Sequence, residues 1–108
     1  MNKETLINAL EDYSLSIQID PQGDVTSRVN ATNSCRDYAR NNPITKDWVK
    51  SNWGIILPAI KQYRKTLKND IYEAKINNEE ERLANLRAEL NDLQPYFLLL
   101  KPFAKFFA

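Results

Sequence analysis

Residues 55–94 read IILPAIKQYRKTLKNDIYEAKINNEEERLANLRAELNDLQ. Into this stretch run Val49, Trp53, Ile56, Ile60, Tyr63 and Leu67, spaced 4, 3, 4, 3 and 4 residues apart. That spacing keeps one apolar stripe on one side of a helix, a seam that must be buried against something. Ile71 and Ala74 carry it to Asn77-Asn78, a pair suited to a tight turn. Glu79-Glu80-Glu81 then falls at the start of a second helix, where the backbone dipole favours acids. Leu83, Leu86, Leu90, Leu93 and Phe97 follow at spacings of 3, 4, 3 and 4. Two seams joined by so short a turn predict an antiparallel helical hairpin over about 55–94.

Upstream, an unbroken helix over 43–76 would be about 51 Å long, too long for a compact chain of 108 residues. Gly54 and Pro58 mark the place for a kink or a full break, because Pro58 lacks an N–H and crowds the carbonyl of Gly54. Asn42-Pro43 is an N-cap and first-turn pair for that helix. Residues 32–41 form a short helix before it, with Cys35, Tyr38 and Ala39 on one side. Residues 3–13 form another, with Asn2 as its cap and Leu6, Ile7, Leu10 and Tyr13 on one face. Between them, residues 14–20 alternate polar and apolar, as a half-buried strand does. Pro21-Gln22-Gly23-Asp24 is a turn signal, and Val25–Val29 can return as a second strand. The β-branched residues favour this small β-hairpin over about 15–29 against the competing reading, in which Asp24 caps a helix from Val25. At the far end, Gln94-Pro95 is expected to interrupt the second long helix.

The expected fold is therefore mainly α. A helical hairpin packs with an N-terminal helix, a small β-hairpin and the 32–41 helix. All of it forms one domain over 1–108, with 1–42 as its N-terminal portion and 95–108 as an apolar C-terminal segment. A 43% apolar content is too high for a disordered chain, and no apolar run approaches the length of a membrane span. An early acid and no long apolar stretch behind it argue against a secretory leader, so a cytoplasmic location is expected. Twelve Asn and many Lys suggest an AT-rich genome, bacterial or phage.

The composition weighs against conventional catalysis. There is no His, the commonest general base and metal ligand, and Gly occurs only at 23 and 54, which removes every Gly-rich phosphate loop. Cys35 is alone and reads as a small core residue. Glu79, Glu80 and Glu81 are adjacent on a helix, so their carboxylates diverge and make a poor metal cluster. No enzyme activity, cofactor, metal or small-molecule substrate is expected.

Two features point to binding. All four Phe fall in the last 12 residues, and such a patch invites association if left in water. Phe97, Phe103, Phe106 and Phe107, with Trp48, are the candidate partner-binding residues. Either the tail folds back to complete the core, or it docks a protein partner or a second copy. The second feature is charge. Residues 36–68 hold eight cations against Asp37 and Asp47, between two acidic flanks. Arg36, Arg40, Lys46, Lys50, Lys61, Arg64, Lys65 and Lys68 are thus candidate phosphate contacts, with Trp48, Trp53 and Tyr63 interleaved. A helix-turn-helix built from Thr45–Ser51, a turn at 52–54 and a reading helix over 56–68 fits poorly, since Pro58 lies in the reading helix and the seam runs through the turn. The leading expectation is a small non-enzymatic protein-binding module, probed against the alternative of a DNA- or RNA-binding regulator using 36–68.

Overall fold

The computed structural model describes residues 1–19 and 25–107, except for the side chain of Phe107. Five helices follow in order: α1 (Lys3–Ile19), α2 (Val25–Asn41), α3 (Lys46–Ser51), α4 (Trp53–Ile76) and α5 (Glu80–Leu100). A 3-10 segment, Lys101–Phe107, ends the described chain, and no strand occurs among the described residues.

The helical hairpin is present as the two seams require. α4 and α5 run antiparallel and are joined at Asn77-Asn78, where Asn78 takes a φ of 55°. Asn tolerates this left-handed conformation better than most residues do. α1 packs across the hairpin and against α2. The core lies between these layers and is built from Leu6 and Leu10 of α1, Ile56, Ile60 and Leu67 of α4, and Leu93, Tyr96 and Leu100 of α5.

The β-hairpin is replaced by helix on both sides. Residues 15–19 complete α1 and residues 25–29 open α2, while the end of the first expected strand, Asp20, and the expected turn at 21–24 lie outside the described residues. Helical spacing wins because Leu6, Leu10 and Ile17 share one buried face, and Ser14 on that side donates a hydrogen bond to Asn33 of α2 at 3.0 Å. The apolar residues that made the alternation look perfect, Leu15 and Ile19, are left 60% and 82% exposed. The N-terminal helix thus reaches Ile19 instead of residue 13, and the 32–41 helix begins at Val25.

Three expected breaks also move. The break before the hairpin is one residue, Asn52, so Gly54 and Pro58 lie inside α4. Asn42 closes α2, its backbone and side-chain N–H both donating to the Tyr38 carbonyl, and Thr45 caps α3 in its place. α5 continues through Pro95 to Leu100. The carbonyls that the two prolines leave without a helical donor belong to Gly54 and Asn91, both exposed residues that water can reach. Continuing past Pro95 buries Tyr96 and Leu100 completely. At about 1.5–3 kcal/mol for each large apolar side chain, that burial matches or exceeds the ~3 kcal/mol cost of an internal proline.

Candidate functional site

Around the axis of α4, the seam residues face α1 and α5, and Tyr63, Thr66 and Asp70 mark its α1 side. Thr66 donates to Asp12 of α1 at 3.4 Å, and the Tyr63 hydroxyl donates to Glu89 of α5 at 2.5 Å. Glu89 also accepts from Asn8, and Asp92 accepts from Asn2. The polar and acidic groups of the hairpin are thus drawn toward α1. Burial, followed by the hydrogen bond to Glu89, pushes the Tyr63 hydroxyl well above its ordinary value, so it stays a neutral donor.

The opposite face is cationic. Lys61, Arg64, Lys65 and Lys68 recur at i, i+3, i+4 and i+7 on α4 and are exposed. Across the groove, α5 and the tail supply Asn91, Gln94, Phe97, Leu98 and Lys101. Leu57, Lys61, Arg64, Phe97, Leu98, Lys101 and Ala104 are among the residues that enclose about 210 Å³ between the two helices. Its floor is apolar and its rim is cationic. The Arg64 guanidinium lies 5.0 Å from the centroid of the Phe97 ring, a cation–π contact that holds the charge at the mouth of the groove. Among the described residues no Asp or Glu lines this groove or its two continuations along α4. Within the same set, Arg64, Lys65, Lys68 and Lys101 form no ion pair.

The other four cations of the basic block are not brought here. Arg36 pairs with Asp37 at 3.2 Å, and Arg40 pairs with Glu11 of α1 and with Asp37. Lys46 and Lys50 are exposed on α3, outside the groove. The block of eight therefore splits into a half that ties α2 to α1 or stands apart, and a half that forms one continuous row.

The Phe residues also separate. Phe97 is half-buried at the groove and packs against the core. Phe103 is half-buried and stacks on Trp53 with ring centroids 5.4 Å apart and planes 10° from parallel. Phe106 contacts the same indole at 5.3 Å and 35°, yet remains 61% exposed. The side chain of Phe107 is not described. Trp48 is half-buried and stacks on Tyr38 at 4.7 Å, joining α3 to the end of α2. The tail thus folds onto Trp53, which lies in the segment expected as the turn ahead of a reading helix. With only Asn52 between α3 and α4, the three-residue turn of a helix-turn-helix does not form.

Sequence reasoning found the α4 row and missed its α5 counterpart. Asn91, Gln94, Leu98 and Lys101 are spaced 3, 4 and 3 apart, a second stripe beside the apolar seam. Only the pairing of the two helices shows that this stripe faces the cations.

Other concavities offer less chemistry. A wide one, at the start of α5, is lined by Glu79, Glu80, Glu81 and Glu89, with Arg82 tied to Glu79 at 2.7 Å. No group of three or more His, Cys, Asp or Glu fit to hold a metal occurs among the described residues. Cys35 is buried, its thiol 3.7 Å from the Asn52 side-chain oxygen, and burial pushes its pKa up, which suppresses the thiolate. No described helix is long and apolar enough to cross a membrane. Comparisons with family models, curated proteins and solved structures find no match to this chain.

Proposed function

We propose that the protein is a small non-enzymatic binding module whose ligand is the phosphate backbone of a nucleic acid, held along the α4–α5 face. The observation that carries this is the row Arg64-Lys65-Lys68, free of ion pairs among the described residues, facing Lys101 across a groove with no acid in its lining. Each cation that meets a phosphate releases a condensed counterion, so such a row gains affinity from every contact and loses it as salt rises. A role in regulation, as for any small binder of nucleic acid, follows from occupancy of a site and not from chemistry performed there.

The test is fluorescence anisotropy of labelled random-sequence oligonucleotides at about 50 and 200 mM salt. Micromolar binding that collapses at the higher salt is expected. Lys65→Ala with Lys68→Ala should weaken binding to every sequence and flatten the log–log salt slope by roughly 1.4–1.8. An unchanged affinity in the double variant would overturn the assignment of this face.

A second reading is an acidic protein segment or a second copy of the chain, in a cytoplasmic setting. It is favoured by Leu98, 65% exposed beside Lys101, and by the apolar floor. Concentration-dependent mass in light scattering, with no oligonucleotide binding at low salt, would move this reading forward.

A further inference from the structure

We infer that the nucleic acid taken by this face is a single strand, with one base stacked on Phe106; the inference rests on the phosphate-binding reading above. Phe106 is the exposed end of an aromatic group whose other members, Trp53 and Phe103, are half-buried against the core. Its ring is backed by the Trp53 indole at 5.3 Å, which holds it in place. The Lys105 ammonium lies over the same ring, 5.3 Å from its centroid, as a cation–π contact; a stacking base takes its place there and leaves the ammonium to meet the adjoining phosphate. An exposed, backed aromatic flanked by a cation is the arrangement that single-strand binders use, because every base presents a π face.

The geometry connects this platform to the row. Trp53, Leu57, Lys61, Arg64 and Lys68 lie along one side of α4, spanning about 22 Å at 1.5 Å per residue. The platform stands at the Trp53 end and Lys68 at the other. Between them Phe97, Leu98 and Ala104 present apolar surface that unstacked bases can cover, over the buried Leu57. A duplex keeps the π faces of its bases stacked inside and offers only base edges, sugars and phosphates, so it would leave Phe106 without a stacking partner.

The experiment compares three probes of equal length with the full chain at about 50 mM salt: a labelled oligothymidine, an abasic strand carrying the same phosphates, and a duplex. The oligothymidine should bind at least roughly fivefold tighter than the abasic strand. Phe106→Ala should remove that advantage while leaving abasic binding unchanged, and Phe106→Trp should keep it. Phe106 is at the surface, so the variant is expected to fold, and circular dichroism checks that it does. Equal affinity for oligothymidine and abasic strand, insensitive to Phe106→Ala, would overturn the single-strand inference and leave the phosphate reading standing. Duplex binding as tight as oligothymidine would do the same. Absence of binding to all three would overturn both.

Discussion

Asp12 shows how a single side chain records the cost of the α1–α4 contact. Burial raises its pKa above the usual carboxylate value of 3.8; the Thr66 hydroxyl opposes this, and the Asp70 carboxylate adds to it. Tyr63 and Glu89 stand in the same cluster. Because the native pKa is the higher one, the folded chain holds more protons than the unfolded chain between 3.8 and that raised value. Stability therefore falls as pH rises through this window, and the loss is complete above it. Asp12→Asn keeps an acceptor for Thr66 and removes the charge. It should be more stable than the parent at pH 7 by a small margin, since the group is partly exposed and screened. In urea melts the difference should vanish below the unfolded pKa. An equal gain at both ends of the range would assign it to packing and not to charge. At this scale the sequence was legible where one candidate stood alone and illegible where two competed. Asn2 caps α1 as its position suggests, accepting from the Thr5 N–H at 3.1 Å. Asn42 and Thr45 are both good caps, and the choice fell to Thr45 because Asn42 was spent on closing α2.

The helices were legible in proportion to how much of their seam is buried. α4 and α5 carry long 3–4 patterns, and the hairpin follows from them. Residues 14–20 satisfied two periods at once, and the sequence alone cannot rank them. Packing decides, because a helix through Ile17 buries one continuous face against α2 and α4, whereas a two-stranded ribbon has no sheet to join. The β-branched start of α2 gave way for the same reason: propensity differences of a few tenths of a kcal/mol per residue yield to tertiary burial. The prolines misled because their cost was read without the burial beyond them. Gly54 isolates one part of that account. It sits in the first turn of α4, four residues before Pro58, and a Cβ built there meets nothing within 4 Å. If α4 tolerates Pro58 through solvation of the Gly54 carbonyl alone, Gly54→Ala should stabilise the protein by about 0.4–1 kcal/mol, chiefly by restricting the unfolded chain. Chemical denaturation with an unchanged m-value checks it. A loss of stability would mean that the backbone ahead of Pro58 needs the freedom of glycine at 54.

Over the whole molecule, a net charge of +1 conceals a separation that only the assembled fold reveals. Half of the basic block was legible as one exposed row on α4. The other half was not, because the acids that meet Arg36 and Arg40 lie one residue away and on α1. The groove was invisible to a linear reading for a related reason: its two walls are 30 residues apart in the chain, as Arg64 and Gln94 are. Acids cluster at the turn end of the hairpin, where Glu80 lies 14 residues from Gln94 on α5, about 21 Å along the helix. That separation makes the locality of the site measurable. The screening length is about 10 Å at 0.1 M salt and about 30 Å at 0.01 M. Glu80→Gln with Glu81→Gln raises the net charge by two, as many units as Lys65→Ala with Lys68→Ala removes. If binding is set by contacts within the groove, the Gln pair should change oligonucleotide affinity by less than about twofold at 0.1 M, where the Lys pair weakens it strongly. Near 0.01 M the Gln pair should tighten binding, because the acidic end then repels the strand across the length of the hairpin. Equal and opposite effects of the two pairs at 0.1 M would show that net charge, and not this face, governs attraction to the polyanion.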